Sequence, residues 1–459
     1  KVMIVNPPAK EIIEPYYDQP PFPRTALAFL AGHIRAHLEH VEVFVMDCKF
    51  DRLSFEQAVS SIKKIAPDII GITAMTNEIS SAGEIANKLK IELPSSITVI
   101  GGVHVTALPE RTLREFDSFD YGITGEGEKS FLEFVEAIQF SKDINIPGVC
   151  YIEDNRFIDN KTSIMLPDQD SLMPAWDLFK SAKEYIIQSS RGCPFACNFC
   201  MNPGGRIVRP RTVQTTLDEI GWLIEYKGAK SIYFGDEIFT VNRDRAYKIC
   251  EGLIERGYHK KISWWCQTHV NTIDDRLVKI MKDSNCSTVG LGIETGDEAT
   301  LKVMGKGTSQ TKILKAIQIM KKHKLAYDSF FILGQPNETL KSLNETVKFA
   351  IKINPDIPIF GLMVPYPGTE VWNMIEKNEG GYKLLSTDWD SYNKQIGNAL
   401  ELKNISRKQL ERIQFFAYIK VFLYNYRFFD LIKFCVKYRT EGFVSITKIF
   451  TNFFNPPKN

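Results

Sequence analysis

Tyr185–Arg206 reads YIIQSSRGCPFACNFCMNPGGR. An apolar piece of strand length, Tyr185–Gln188, runs into Cys193, Cys197 and Cys200, spaced C-x3-C-x2-C. Three thiolates this close can wrap one face of a metal centre. A [4Fe–4S] cluster is normally held by four cysteines. Supplying three leaves one iron open to a substrate-like ligand. Structural zinc is the competing reading, but it prefers paired C-x2-C units with a fourth ligand. No second CxxC or HxxxH follows, and Cys250, Cys266 and Cys286 come singly.

Downstream of the cysteines, short apolar runs alternate with stretches of helical periodicity. Lys230–Gly235, Ile262–Thr268, Thr288–Glu294, Asp328–Gly334 and Ile357–Val364 read as strands. Val213–Lys227, Arg243–Arg256, Asp275–Lys282, Gln310–Lys322 and Thr339–Lys352 read as helices. With Tyr185–Gln188 this makes six β/α units, which suits an open, partial (β/α)6 barrel with its chemistry at the carboxyl ends of the strands. Those ends are polar: Gly235-Asp236-Glu237, Gln267-Thr268-His269, Glu294-Thr295-Gly296, Gly334-Gln335-Pro336-Asn337-Glu338-Thr339 and Pro365-Tyr366-Pro367-Gly368-Thr369. Any one of these acids also suits a strand-end residue that caps the next helix.

Upstream, strands at Lys1–Asn6, Val41–Met46, Asp68–Thr73, Ile97–Ile100 and Tyr121–Thr124 alternate with helices at Arg24–Leu38, Phe55–Ile65, Glu78–Glu92 and Lys129–Phe140. The pattern predicts an α/β domain of doubly wound, Rossmann-like type, with a parallel sheet covered on both faces. Ligands of such sheets bind beyond the carboxyl ends of the strands. There stand Asn6-Pro7-Pro8, Asp47, Thr73-Ala74-Met75-Thr76-Asn77, Gly101-Gly102-Val103-His104 and Gly125-Glu126-Gly127-Glu128. Singly these are ordinary turns; together on one rim they suit a ligand site. His33 and His37 read as helix-surface residues. A polar, turn-rich stretch, Ser141–Trp176, separates the halves and holds two apolar pieces, GVCYI and SIMLP, that can pair as strands. The expected limits are 1–142 for the first domain, 143–180 for the linker, 181–395 for the barrel and 396–459 for a C-terminal helical region.

The opening strand followed by NPP, the PDIIGIT strand, GGVHVTALPE (Gly101–Glu110) and ITGEGE (Ile123–Glu128) resemble, in order and spacing, the cobalamin-binding domain that precedes a class of radical S-adenosylmethionine (SAM) enzymes. The cysteine loop and the polar strand ends resemble the radical SAM superfamily itself, in its cobalamin-binding branch, so the likeness runs from residue 1 to about 395. It implies three cofactors: a [4Fe–4S] cluster on Cys193, Cys197 and Cys200, SAM and cobalamin. By the resemblance Gly235, Asp236 and Glu237 meet the methionine amino group of SAM. Gln267 and Glu294 lie near its carboxylate and ribose, and Phe199, Ile332 and Gly334 flank the adenine. Cobalamin falls to Asn6, Pro7, Thr73, Met75, Thr76, Gly101, Gly102, Val103, His104, Gly125, Glu126 and Gly127. His104 is expected either at the nucleotide tail or in a local loop hydrogen bond.

The sequence departs from the pattern in three places. The loop after the first strand, NPPAKEIIEP, lacks the His of D-x-H-x-x-G that ligates cobalt in many cobalamin domains, so the lower face of the corrin is expected to be open or covered by another side chain. His269 stands where relatives often carry Arg. GQPNET replaces the usual GLPGET.

The chain has 459 residues, which suits about three domains at roughly 150 residues each. Its 57 basic and 55 acidic residues nearly cancel, so whole-protein charge gives no case for nucleic acid. No apolar run is long enough to span a bilayer, no signal-peptide pattern opens the chain, and nine cysteines do not suit a secreted disulfide scaffold. The expectation is a cytoplasmic protein, membrane association being the alternative. Residue 1 is Lys, as expected of a chain that begins just inside its natural start. Ile413–Phe454 is crowded with Phe and Tyr and interleaved with Lys420, Arg427, Lys433, Lys437, Arg439 and Lys448, against Asp430 and Glu441. Two helices broken near Gly442 and ended by Pro456-Pro457 are expected. They would form a cap on the barrel, or contact an apolar substrate or an anionic membrane.

The reaction the resemblance implies first is methyl transfer from methylcobalamin to an unactivated carbon. One SAM remethylates cobalt, and another yields a 5′-deoxyadenosyl radical that abstracts hydrogen. No general acid or base is assigned, because hydrogen-atom abstraction does not require one. PYPGTE (Pro365–Glu370) and DWDSY (Asp388–Tyr392) point to the anaerobic porphyrin-cyclase-like group, whose cyclisation or rearrangement is the alternative. A corrinoid carrier or sensor without catalysis is the reading from another class. The expected partners are a small-molecule substrate, an apolar one among the readings, and an electron donor such as flavodoxin or ferredoxin.

Overall fold

The computed structural model describes residues 1–160, 165–171, 173–395, 397–439 and 442. The chain divides into two units. The first holds Lys1–Gly192, Asn202–Thr215 and Trp222–Ala229; the second holds Cys193–Met201, Thr216–Gly221 and Lys230–Asn459.

In the first unit, strands β1 (Val2–Asn6), β2 (Val43–Asp47), β3 (Ile69–Thr73), β4 (Ile97–Gly101) and β5 (Tyr121–Ile123) are parallel in the order β2-β1-β3-β4-β5. Every residue of β1 is buried, as a strand covered on both faces requires. The order reverses between β1 and β3, and that switch point opens the crevice where ligands of such sheets sit. Helices Thr25–His37, Phe55–Ile65, Ile79–Glu92 and Gly127–Phe140 lie within a residue or two of the expected spans. The Phe55–Ile65 helix starts at a capping box in which Ser54 and Gln57 satisfy each other's backbone N–H.

The stretch expected to be a linker holds two strands of this sheet. GVCYI supplies β6 (Val149–Glu153), which pairs antiparallel with β5 and with β7 (Arg156–Asp159). Its partner is thus not SIMLP, of which Ser163 and Ile164 lie outside the described residues. Farther on, Ala175 N–H donates to Ala28 O at 2.8 Å, and a Cβ on Gly32 would meet Met173 O at 1.8 Å. This crossing covers the Thr25–His37 helix on its outer side. His33, expected on the surface, is buried, with its ring centroid 4.3 Å from that of His37 and the Glu128 carboxylate acting on it.

Next come β8 (Glu184–Ile187), β9 (Ser190–Arg191) and β10 (Arg209–Pro210). The last two pair antiparallel and bracket the cysteine loop. Gly192 opens the loop at φ +97°, and a Cβ there would meet Ile207 O at 2.2 Å. Only glycine suits that turn.

The second unit carries β11 (Ser231–Phe234), β12 (Ser263–Thr268), β13 (Cys286–Glu294), β14 (Ala326–Leu333) and β15 (Pro358–Leu362), each parallel to the next. Helices Arg243–Glu255, Asp275–Asp283, Gln310–Lys322 and Leu340–Ile353 alternate with them as expected. Sequence periodicity missed the short helices Glu298–Val303 and Glu370–Glu376 and the hairpin β16 (Tyr382–Leu384)–β17 (Leu400–Leu402). Elements this short carry too few residues to show a period. The PYPGTE and DWDSY stretches build core here: Thr369 caps Glu370–Glu376, and Trp389 and Tyr392 are buried, 5.1 Å apart.

The C-terminal helices are Arg407–Tyr424 and Phe428–Lys437, with a break at Asn425–Arg427 that was not expected; the residues on either side of Gly442, where a break was expected, lie outside the described residues. Tyr426 takes φ +58°, and Asn425 Nδ2 donates to Val421 O at 2.8 Å, closing the first helix. Gly442 is itself helical, and Pro456-Pro457 lies outside the described residues. Gln414 and Tyr418 bond the backbone of Phe360 in β15, which seats the first helix on the sheet.

Candidate functional site

The three thiols sit on one loop of the second unit and form no disulfide. Cys193 and Cys197 are half-buried and Cys200 is exposed, whereas Cys250, Cys266 and Cys286 in the same unit are buried. Among the described residues no three Cys, His, Asp or Glu side chains converge on a point that would hold one ion. A cluster asks something different, because it presents separate irons to separate thiolates. An accessible thiol set of this spacing, with no disulfide among the three, fits that group.

Residues that sequence reasoning passed over shape the loop. Asn198 N–H donates to Met304 O at 3.1 Å, and Val371 N–H donates to Asn198 O at 3.1 Å. A Cβ on Gly305, at φ +69°, would meet Ala196 O at 2.8 Å. The His269 ring stacks on Phe195 at 4.1 Å, and its Nε2 lies 3.1 Å from Lys306 O. Burial and then Lys306 hold the His269 imidazole down to about 4. His269 is thus a neutral strut of the cysteine loop.

Lys306 and Glu294 form a buried ion pair at the end of β13. Glu294 occupies the left-handed region at φ +66°, an uncommon place for a non-glycine residue. Both charges act on Cys197, whose thiol burial pushes up to about 11 while Lys306 pulls it down and Glu294 up. Sequence reasoning passed over Lys306, because nothing local says that it faces Glu294.

The SAM residues expected from sequence stand at the ends of adjacent strands. Gly235-Asp236-Glu237 follows β11, with Asp236 buried and Glu237 exposed; Gln267 ends β12, half-buried; Glu294 ends β13; Ile332 and Gly334 close β14. Phe199 is half-buried on the cysteine loop. One face of these strands is sealed. The other carries half-buried Tyr233, Trp265, Gln267, Phe330 and Ile332, and Tyr233 stacks on Trp265 at 3.7 Å. A Cβ on Gly290 would come within 2.8 Å of Phe330 and 3.1 Å of Gln267. This face is aromatic with one amide, suited to a flat or apolar ligand with few polar groups.

The GQPNET turn is organised by Glu338. Its Oε2 accepts from the N–H of Gly334 at 2.7 Å and of Gln335 at 3.0 Å, and Tyr382 Oη donates to Gly334 O at 3.1 Å. Burial pushes the Glu338 carboxyl up to about 7.

On the rim of the first unit, Gly102 adopts φ +106°, and a Cβ there would meet Ala74 O at 2.5 Å. Above Gly101 a Cβ would meet nothing nearer than Ile72 O at 4.0 Å, so this turn leaves room for a ligand. A glycine cradle at the switch-point side of the sheet fits a large cofactor tail. Thr73 is half-buried, Thr76 is buried and Met75 is exposed; Pro7 is buried; Val103, Gly125 and Gly127 are half-buried.

Three rim residues differ from expectation. Asn6 donates to Asp47 Oδ1 at 2.7 Å and accepts from Arg24 Nη1 at 2.7 Å, so its side chain holds the framework. Glu126 receives both Arg209 Nη atoms and the N–H of Leu166, tying down the chain after the cysteine loop. His104 lies on the first turn of the helix Val103–Ala107, fully buried rather than on a loop, and burial lowers its imidazole to about 4. Arg24 and Lys49, which sequence periodicity did not single out, bracket Glu78 at 2.9 and 2.7 Å.

Comparisons with known proteins agree with this architecture. The Radical SAM superfamily matches residues 187–350, and the B12 binding domain matches residues 19–135. The chain is 32% identical over 434 residues to an uncharacterized methyltransferase of Pyrococcus horikoshii, covering 92% of each chain. It is 29% identical to an anaerobic magnesium-protoporphyrin IX monomethyl ester cyclase of Rubrivivax gelatinosus, over 81% of this chain and 69% of that one. The structure of the radical SAM methyltransferase TsrM from Kitasatospora setae, with cobalamin and [4Fe–4S] cluster bound, superposes with a TM-score of 0.71 at 16% identity, covering 87% of this chain and 83% of that one. That likeness is one of fold. The thiol loop, the glycine rim and the similarity along nearly the whole chain place this protein in the cobalamin (B12)-binding radical SAM enzyme family.

Proposed function

We propose that the protein is a C-methyltransferase that acts on an unactivated carbon of a small molecule. The observation that carries this reading is the accessible three-thiol loop, with Cys197 near the Lys306–Glu294 pair at the end of β13, in a chain similar over 92% of its length to an uncharacterized methyltransferase. When bound, the cluster with SAM supplies a carbon-centred radical, and cobalamin supplies the methyl group.

The chain's own residues bind and orient. Cys193, Cys197 and Cys200 hold the cluster, braced by Asn198, Phe195 and His269. Asp236 and Glu237, with Gly235, take the ammonium of SAM. Gln267 and Glu294 face its carboxylate and ribose, and Phe199, Ile332 and Gly334 enclose the adenine. Tyr233, Trp265 and Phe330 exclude water from the place where hydrogen leaves the substrate. On the rim, Gly101, Gly102, Val103, Gly125 and Gly127 let the backbone approach the corrinoid closely. Thr73, Thr76 and Pro7 line the same crevice, and buried His104 is assigned to the nucleotide tail. Asn6 and Glu126 serve there through backbone position. Met75, exposed on the central rim, would contact the corrinoid there. The proposed domain limits are 1–142 for the cobalamin domain, 143–180 for a connecting stretch whose β6 and β7 extend that domain's sheet, 181–395 for the barrel and 396–459 for the helical region.

A flavodoxin- or ferredoxin-like donor supplies electrons. The location is cytoplasmic, with peripheral membrane contact through the C-terminal region. The second reading is a cyclase, favoured by similarity to the Rubrivivax gelatinosus enzyme. Anaerobic reconstitution with iron, sulfide, hydroxocobalamin, SAM and a reductant separates the two. 5′-Deoxyadenosine together with S-adenosylhomocysteine supports methyl transfer. 5′-Deoxyadenosine alone supports the cyclase. Neither product, with cluster and corrinoid bound, leaves either a missing substrate or the carrier reading.

A further inference from the structure

The helix Phe428–Lys437 buries none of its residues fully, although seven of its ten are apolar. It is seated on one side only. The Phe434 ring lies 5.2 Å from Tyr418 and 5.4 Å from Phe422 of the preceding helix, and 4.7 Å from Tyr438. The opposite side presents Phe428, Phe429, Ile432 and Val436, which recur at helical spacing and are 53%, 81%, 60% and 63% exposed. Tyr426, at the turn before it, is 84% exposed. The preceding helix also exposes Phe416, Leu423 and Tyr424.

The charge on these two helices has one sign. Arg407–Arg439 contains eight basic residues and two acidic ones. Both acids are engaged within the chain, Glu411 by Arg407 at 3.2 Å and Asp430 by Arg427 at 2.8 Å. Lys433 and Lys437 border the exposed apolar stripe, and Arg412 and Lys420 stand beside Phe416 and Tyr424. No helix of the described residues is long and apolar enough to cross a membrane.

We propose that this face rests in the plane of an anionic lipid bilayer, with Phe429, Ile432 and Val436 inserted at the level of the headgroups and Lys433, Lys437 and Arg439 on the lipid phosphates. An exposed apolar stripe bordered by cations, on a helix anchored from behind, matches the geometry of an interfacial helix. A water-facing cap would carry polar residues at positions 429, 432 and 436. A partner helix would be met by charges of both signs, whereas an anionic surface is complementary to the single sign found here. This deepens the location proposed above and does not depend on the reaction.

The test is sedimentation of the full-length protein with vesicles of phosphatidylcholine alone and of equimolar phosphatidylcholine and phosphatidylglycerol. Binding is expected to the mixed vesicles and to weaken with added salt. Phe429→Glu with Ile432→Glu is expected to abolish it, and Lys433→Glu with Lys437→Glu to weaken it by at least about thirtyfold. Far-UV circular dichroism and corrinoid binding, unchanged in both variants, show that they fold. No binding to the mixed vesicles overturns the proposal, as does equal binding by folded variants. A dimer that Phe429→Glu with Ile432→Glu dissolves, in a protein that ignores vesicles, gives the face to a second copy and also overturns it. None of these results alters the assignment of the reaction, which is read from SAM products.

Discussion

Lys306 and Glu294 form a buried ion pair at the end of β13, and the charges of both reach Cys197 of the thiol loop. Each charge is tolerable there because of the other, and removing one leaves a buried, uncompensated partner. Lys306→Met is therefore expected to destabilise the apoprotein by about 3–5 kcal/mol in urea melts. The double variant Lys306→Met, Glu294→Leu is expected to recover most of that loss. Equal losses in the single and double variants would show that the pair is not what matters.

Replacing any one of Cys193, Cys197 and Cys200 by Ala is expected to abolish the cluster's visible absorbance and the formation of 5′-deoxyadenosine. Cys435 is exposed on the C-terminal helix, and Cys435→Ser is expected to change neither. Iron analysis of the four variants, reconstituted side by side, decides. A cluster that survives loss of one of the three would require a ligand from elsewhere in the chain.

Glu78 gives the first unit a pH dependence. Burial alone would raise its carboxyl, but Arg24 and Lys49 overcome this and hold it down to about 2, against 4.5 in the unfolded chain. A lowered folded value contributes stability above the unfolded value and loses it as pH falls through the folded one. The size is about 3 kcal/mol. Glu78→Gln is expected to be less stable than the parent by about that amount at neutral pH. The gap should narrow between pH 4.5 and 2, as followed by denaturant melts across pH.

Glu338 behaves in the opposite sense. Burial raises its carboxyl to about 7, against 4.5 unfolded, so stability present below 4.5 is lost as pH rises through about 7. Glu338→Gln keeps an oxygen for the N–H groups of Gly334 and Gln335 and removes the titration. It is expected to be the more stable protein above about pH 7 by up to about 3 kcal/mol, and to lose that advantage in acid. A variant that melts in parallel with the parent at every pH would refute this.

Strand and helix limits in both units were largely legible because long segments show their period, and a parallel strand buried on both faces is a continuous apolar run. The thiol loop was legible because metal-ligand spacing is local. Elements of a few residues were not, nor was the break at Asn425–Arg427, which depends on Asn425 bonding Ile351 O, far away in sequence.

The sequence by itself determined the family-level architecture, the cluster cysteines and the glycine rim, since each rests on residues near one another along the chain. Only the tertiary structure decided which side chains were already committed. Asn6 and Glu126 read as ligand contacts until Arg24 and Arg209 were found on them. His269 read as a substitute for an arginine until Phe195 was found stacked on it. Lys306 drew no notice in the sequence, and only the fold sets it against Glu294. The physical reason is common to all of them: a buried polar group must be satisfied, and its partner is chosen by proximity in space, which spacing along the chain does not encode.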